Sequence, residues 1–360
     1  MKPDRPEHLL DHPPNVAATL LEEWFASRQQ PGFRCRQALD HLFERRVAVP
    51  EQMSNLPGAL REELGETLLR PVVERVTTLV SEDGTRKYGF KLHDGALIES
   101  VWIPTPERGT LCVSSQAGCP AGCTFCATAA GGFRRNLAPS EIVGQWLEVV
   151  ADLEENELPQ GVTQIVFMGM GEPLLNYPNL NIALRLLTGA DGFSMSPRRI
   201  TVSTVGFVDR MTELLEDFPR VRLALSLHSA VDETRGTIVP VNRKHNVASL
   251  RTVLETVRKD ARRITLEYVL LTEVNDSVAE ARALADFAGA TAAHINLLPF
   301  HPFPGAAYPP TAQENLRRFK RRIEEAGYLG EVTIRRSRGL DIQGACGQLA
   351  LHAKSPPRAG

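Results

Sequence analysis

The sequence predicts an α/β protein: a partial (β/α)6 barrel of parallel strands, preceded by a small helical domain and a short β linker. Three observations predict it. From residue 110 onward, short β-branched runs alternate with amphipathic stretches in six βα units, fewer than the eight that close a barrel. Residues 16–70 are periodic only as helices. Residues 71–104 carry short apolar runs broken by turn signals. The expected boundaries are 1–70, 71–104, 105–345 and 346–360, the last holding a cysteine segment and a disordered tail.

Residues 1–15 bear Pro and His and are expected to be loose. Leu20, Leu21, Trp24 and Phe25 mark a first helix, and Leu39, Leu42 and Phe43 a second, with a turn at Pro31-Gly32 between them. Asn55-Leu-Pro57 opens a third through Leu60 and Leu64. Cys35 on the second helix reads as a small hydrophobe. In the linker, Val72 to Val80 and Tyr88 to Leu92 read as strands, with turns at Asp83-Gly84 and Asp94-Gly95. Glu99, in the run Leu97 to Ile103, reads as the solvent face of an alternating strand.

Barrel strands are expected at 110–114, 163–168, 199–204, 221–227, 264–270 and 293–298, with a last one at 331–335. Helices are expected at 139–153, 179–188, 207–216, 246–260, 278–289 and 311–326. Pro139-Ser-Glu141 opens the first of these, with Ile142, Val143, Trp146, Leu147 and Val150 on one face. The tail from Ala353 is expected to be disordered.

At 360 residues the chain can bury a sizeable core, and 42% hydrophobic with 23% charged residues is ordinary for a soluble protein. No apolar run approaches the roughly 20 residues that span a bilayer. The start, Met-Lys-Pro-Asp-Arg-Pro-Glu-His, has no apolar core of a secretory signal, so a cytoplasmic location is expected. A formal net charge of −2 argues against a wholly basic nucleic-acid coat and leaves room for a local basic face. Clustered cysteines in such a chain indicate metal binding or catalysis rather than a disulfide framework.

The cluster is Cys119-Pro-Ala-Gly-Cys123-Thr-Phe-Cys126, spaced C-x3-C-x2-C. A closed zinc site takes four ligands, and neither a second C-x2-C nor an H-x3-H follows. Three thiolates on a cubane [4Fe–4S] cluster leave one iron open to a chelating small molecule. This spacing, with an aromatic before the last cysteine, resembles the radical S-adenosylmethionine (SAM) superfamily, in which SAM takes the open iron.

Barrel active sites form at the carboxyl ends of strands. The cysteine loop follows the first expected strand and Met168-Gly-Met-Gly-Glu-Pro-Leu174 the second; Ser203-Thr204 ends the third, Ser226-Leu-His228 the fourth, and Asn296 lies near the end of the sixth. Singly each has a structural explanation; together they line one rim. Cys112 and Cys346 remain. They read as two inert thiols, as one further cluster ligand, or as a reactive pair, cysteine being a strong nucleophile.

Several stretches are similar to the RlmN/Cfr-type RNA adenine methyltransferases: Cys112 to Cys119 with the cysteine loop, Phe167 to Asn176, Ser196 to Thr204, Leu225 to His228, Ile238 to Asn242, Asn296 to Pro299, His301 to Gly305, and Ala345 to Leu349. The resemblance spans residues 30–350 and implies that Cys119, Cys123 and Cys126 hold a [4Fe–4S] cluster. It implies SAM contacts from Gly171, Glu172, Ser203, Ser226, Leu227, His228 and Asn296, with Glu172 on the amino group. Glu99, thirteen residues before Cys112, falls at the family's proton-acceptor position.

The implied chemistry begins with transfer of a methyl group from one SAM to Cys346. A radical from a second SAM takes a hydrogen from that methyl, and the carbon radical adds to adenine. Cys112 then resolves the crosslink and leaves a Cys112–Cys346 disulfide for reduction. The implied substrate is adenosine of 23S rRNA, and of certain tRNAs, methylated at C2. Alternatives are C8 methylation, another radical SAM reaction on a small molecule or peptide, and a zinc-stabilised RNA-binding protein without catalysis. The expected partners are RNA and an electron donor such as a flavodoxin or ferredoxin system, with no membrane and a monomeric chain. Arg134-Arg135, Arg198-Arg199, Arg317-Arg318, and Arg335-Arg336 with Arg338 suit phosphate contacts or solvated faces. The segment around His301 departs from the Trp-Asn that the RlmN branch carries before its Pro, which bears on RNA target choice.

Overall fold

A parallel strand pair needs a crossover, and in this chain helices supply it. The computed structural model describes residues 6–257 and 264–349. The expected tail from Ala353 and the last residues of the expected helix 246–260 lie outside them.

Three helices precede the sheet. α1 (Pro14–Ser27) starts on proline, whose fixed φ and missing N–H suit a first turn, and buries Ala17, Leu21, Trp24 and Phe25 along one face. α2 (Phe33–Leu39) runs into a π turn over Asp40–Glu44, and α3 (Gly58–Glu66) buries Leu60 and Leu64. The expectation of a loose start is corrected for residues 6–15, residues 1–5 lying outside the described ones. Leu9 and Leu10 are fully buried on a 3-10 turn, and the Leu9 N–H donates to the Leu68 carbonyl at 2.8 Å. Two adjacent leucines among Pro and His carry too little periodicity to signal that burial.

Next come β1 (Val73–Val80), β2 (Arg86–Leu92), β3 (Leu97–Thr105) and β4 (Arg108–Cys112), an antiparallel meander. A small hairpin of β5 (Gln116–Gly118) and β6 (Phe133–Asn136) brackets the cysteine loop and the short α4 (Ala127–Ala130). The helices and strands then alternate: α5 (Pro139–Glu155), β7 (Gln164–Phe167), α6 (Tyr177–Thr188), β8 (Ile200–Thr204), α7 (Val208–Asp217) and β9 (Arg222–Ser226). They continue through α8 (Asp232–Ile238), α9 (Val247–Val257), β10 (Ile264–Leu270), α10 (Val278–Thr291), β11 (His294–Pro299), α11 (Gln313–Glu325) and β12 (Val332–Ile334).

One ten-stranded sheet results, in the order β1-β2-β3-β4-β7-β8-β9-β10-β11-β12. From β4 to β12 every neighbouring pair is parallel. The partial barrel is therefore as expected, and the β linker continues its sheet through the β3–β4 pairing. Phe193 joins the N-terminal helices to the barrel layer, meeting Phe43 at 5.0 Å and Trp146 of α5 at 4.8 Å, edge to face.

The open seam between β12 and the meander is bridged by the segment after β12. Ser81 Oγ donates to Asp341 at 2.5 Å, the Gly339 N–H to Asp83 at 3.1 Å, and Lys87 Nζ to the Gln343 carbonyl at 3.4 Å. Gly339 has φ +63°, and a Cβ there would sit 2.9 Å from Thr85 Cγ2, so the segment lies flush on the β1–β2 turn.

On the meander, Asp152 of α5 is nearly buried and accepts from Arg75, from Arg86 at 2.9 Å and from the Tyr88 hydroxyl at 2.8 Å. Removing one member of a buried ionic group strands the others. Asp152→Ala is expected to cost about 3 kcal/mol in denaturant unfolding, and a cost near zero would show that the group carries no stability.

Candidate active site

The carboxyl ends of the parallel strands meet at one rim. Cys119, Cys123 and Cys126 line a cavity of about 150 Å³ there, together with Gly171, Glu172, Ser203, Ser226, His228 and Cys346. Burial pushes the Cys119 thiol up to about 12 and holds Cys123 well above its ordinary value, with the neighbouring thiols adding to both. Iron that displaces these protons removes that cost, so folding and cluster binding are linked. Among the described residues no group of three His, Cys, Asp or Glu side chains is arranged for a single ion. The three thiols instead share the lining of one cavity, as suits a cubane whose ligated irons occupy separate corners. The donor set fits.

Opposite them stands Glu172, buried, with Oε2 accepting the Val205 N–H at 2.9 Å and Oε1 the Leu174 N–H at 3.1 Å. Desolvation raises its carboxyl to about 7 against those hydrogen bonds, so a cation delivered beside it would be held firmly. Gly171 has φ +102°, and a Cβ there would fall 2.5 Å from Gln116 Cβ; the turn passes flush against Gln116, whose Oε1 accepts the Glu172 N–H at 2.9 Å.

Ser203 and Ser226, on adjacent strands, bring their hydroxyls within 3.2 Å. His228 takes a left-handed backbone at φ +57°, accepts the Val269 N–H on Nδ1 at 3.0 Å and packs edge-on against Phe125 at 4.6 Å. Burial lowers it to about 3, so the ring is neutral with its proton on Nε2. Leu227 is fully buried and lines neither of the two cavities at the rim. Asn296 donates to Glu267 Oε1 at 3.0 Å and accepts from Thr333, and it faces a second cavity.

That second cavity, about 400 Å³, is the barrel lumen beneath the bridging segment, lined by Thr110, Thr201, Asn296, His301, Arg335 and Cys346 among others. Cys346 lines both cavities and stands where they meet. Its segment is also tied to α4: the Ala127 N–H donates to the Gly347 carbonyl at 2.8 Å and Thr128 Oγ1 to the Leu349 carbonyl at 2.6 Å. Cys346 is exposed; the surrounding protein nonetheless raises its thiol, and Arg335 opposes that. Cys112, buried at the end of β4, is raised by burial and then by Cys346, so the two thiols lie within electrostatic reach.

Glu99 is corrected. It is buried, not solvent-facing, and pairs with Lys87 Nζ at 3.1 Å, because the bridging segment covers that face of β3. Among the basic pairs, Arg135 is taken up by Asp94 at 2.9 Å and Glu141 at 2.7 Å, which makes it structural. Arg198 and Arg199 are exposed at the amino end of β8, away from the rim, whereas Arg335, Arg336 and Arg338 border the lumen. Sequence reasoning missed Glu267, buried, lining both cavities, with Oε2 unpartnered. A charge inside the apolar run Ile264 to Leu270 was its signal.

The fold and this pocket define a radical SAM enzyme, whose cofactors are a [4Fe–4S] cluster and SAM. Residues 113–285 match the Radical SAM superfamily. A crystal structure of a radical SAM methyltransferase from Sphaerobacter thermophilus is similar at TM-score 0.89 and 37% identity, covering 96% of this chain and 99% of that one. A probable dual-specificity RNA methyltransferase RlmN of Gemmatimonas aurantiaca is 43% identical, covering 95% of this chain and 92% of its own. The dual-specificity RNA methyltransferase RlmN of Halorhodospira halophila is 45% identical over 91% of this chain and 90% of its own. The chain belongs to the RlmN family. No helix among the described residues is long and apolar enough to cross a membrane.

Gly171→Ala combines left-handed strain of about 1–3 kcal/mol with the clash against Gln116. It is expected to weaken SAM binding by roughly tenfold or more, read by equilibrium dialysis; unchanged affinity would show that the flush turn is not needed.

Proposed function

We propose that this protein is an RNA methyltransferase that methylates C2 of adenosine in 23S rRNA, and in tRNA, through an S-methylcysteine at Cys346. The observation that carries the reading is the position of Cys346: it faces the cluster-and-SAM cavity on one side and the lumen on the other, with Cys112 in reach. The names of the relatives support the RNA substrate.

Glu172 binds the ammonium group of SAM, and Gly171, Ser203, Ser226 and His228 shape the rest of its seat. Leu227 acts through its backbone, and Asn296 reaches from the lumen side. The cluster and SAM, when bound, supply an electron for reductive cleavage of the sulfonium and a hydrogen-abstracting carbon radical. Cys346 gives up its proton and accepts a methyl group as the sulfonium–methyl bond breaks. Arg335, Arg336, Arg338 and His301, whose Nε2 lies 2.6 Å from Ser337 Oγ, border the lumen through which the base reaches Cys346. Once the methylene carbon is bonded to C2, Glu99 takes the ring proton, and the one electron that the adduct loses with it would return to the cluster, leaving a closed-shell crosslink. Cys112 attacks the Cys346 sulfur: a sulfur–sulfur bond forms, the sulfur–methylene bond breaks, and its electron pair passes to the methylene carbon, which takes a proton. The dithiol is thereby oxidised by two electrons, and an external reductant resets it. A flavodoxin- or ferredoxin-type donor supplies the cluster's electron, and the chain works as a cytoplasmic monomer.

After anaerobic reaction with methyl-labelled SAM, mass spectrometry should find label on the Cys346 peptide and on adenine C2. Cys112→Ala should keep the label on Cys346 and accumulate a protein–RNA crosslink. Label at C8 would place the enzyme with the Cfr branch, and free methylated RNA at the normal rate from Cys112→Ala would remove Cys112 from the reaction.

A further inference from the structure

Lys87 is not among the residues given a role above, yet it touches two parts of the site. Its side chain is 10% exposed and that of Glu99 3%, and Lys87 Nζ lies 3.1 Å from Glu99 Oε1. The same ammonium donates to the carbonyl of Gln343, three residues before Cys346.

The sheet register shows why these groups meet. Lys87 sits opposite Val101, Val101 opposite Cys112, and Glu99 opposite Gly89. Opposed residues share a face, as do positions two apart on a strand. Lys87, Glu99, Val101 and Cys112 therefore look to one side of the sheet. The segment of Cys346 docks on that side, where a Cβ on Gly344 would meet Val101 Cγ1 at 3.6 Å. Gly89 leaves no side chain opposite Glu99, and the lysine reaches it across the diagonal.

A buried carboxyl without a cation favours its neutral form, and a neutral carboxylic acid cannot take a proton. A buried ion pair is also a poor source of net stability, since apolar residues of similar volume serve about as well. Its placement beside Cys112 and Cys346 calls for a functional reason. Other charged or titratable groups on the packed elements are Lys91 on β2, which pairs with Glu74, Arg108 and Cys112 on β4, and Arg335, Arg336, Arg338, Asp341 and Cys346 on the docked segment, Arg335 lying in electrostatic reach of Cys112, Cys346 and Glu267. Asp341 accepts from Ser81 Oγ and the Glu82 N–H, and Arg338 donates to the Asp83 carbonyl. Arg86, next to Lys87, points to the opposite face, toward Asp152.

We propose that Lys87 is a positioning residue that keeps Glu99 ionised and fixes it relative to the Cys346 segment, so that Glu99 can accept the ring proton. This rests on the reading of Glu99 as the proton acceptor. Lys87 itself touches neither RNA nor SAM.

The test uses cluster-loaded enzyme already methylated on Cys346, followed through a single turnover on RNA across pH. Lys87→Met should keep the wild-type extent of Cys346 methylation, because the Ser81 and Asp83 ties remain. Its RNA step should fall by roughly tenfold or more at neutral pH and recover in alkali, the acid limb having moved up by about one pH unit or more. Lys87→Arg should retain the wild-type limb. Should Lys87→Met lose the cluster, Lys87→Gln, which keeps a donor for Gln343 without the charge, carries the same comparison. A wild-type limb in the uncharged variants, or a pH-independent loss that Lys87→Arg does not rescue, overturns the proposal. Glu99→Gln, run in parallel, separates the two ideas. Wild-type RNA methylation by Glu99→Gln defeats the reading of Glu99 itself, whereas an inactive Glu99→Gln beside an unshifted Lys87→Met defeats only the role of Lys87.

Discussion

The arrangement of the site depends on the docking of the segment after β12 across the open seam of the barrel. A partial barrel leaves an edge at β12 and a lumen open on one side. Here polar ties from the β1–β2 turn and from Lys87 hold one flank of the segment, and α4, directly after the last cluster cysteine, holds the other. Cys346 is thus fixed by elements that also position Glu99 and the cysteine loop. Without those ties Cys346 would ride on a surface loop. With them it sits between a cavity lined by thiols and a cavity bordered by arginines.

The same docking explains the electrostatics. Cys112, Cys346, Glu172, Glu267, Cys119 and Cys123 are all raised chiefly by loss of water rather than by a single neighbour. Burial of this kind favours neutral forms, and each charge needed for chemistry then requires a specific partner. Arg335 opposes the rise at Cys346, and Lys87 pairs with Glu99. His228 has no such need, because its neutral ring serves as a hydrogen-bond acceptor and a packing surface.

Much of this was legible in the sequence. The expected barrel strands overlap those observed, because a strand buried on both faces is a short apolar run and the helices between are periodic. The rim residues were legible because functional groups of a barrel fall where strands end. Pairing between distant segments was not. Glu99 alternates with apolar neighbours as a solvent-facing residue would, and its burial comes from a segment more than 230 residues later. Arg135 looks like a phosphate contact until Asp94 and Glu141 are seen to enclose it. The β linker reads as separate because nothing local states that β3 pairs with β4 inside the same sheet.

The most direct measurement is peptide mapping of wild-type enzyme whose cluster has been reduced beforehand, alkylated after one RNA turnover with no disulfide-reducing thiol present. The account predicts one new disulfide, between Cys112 and Cys346, in step with the methylated RNA, and no disulfide involving Cys35. Methylated RNA formed with both Cys112 and Cys346 still free would contradict it, for the docked segment would then have brought the two thiols together without using them.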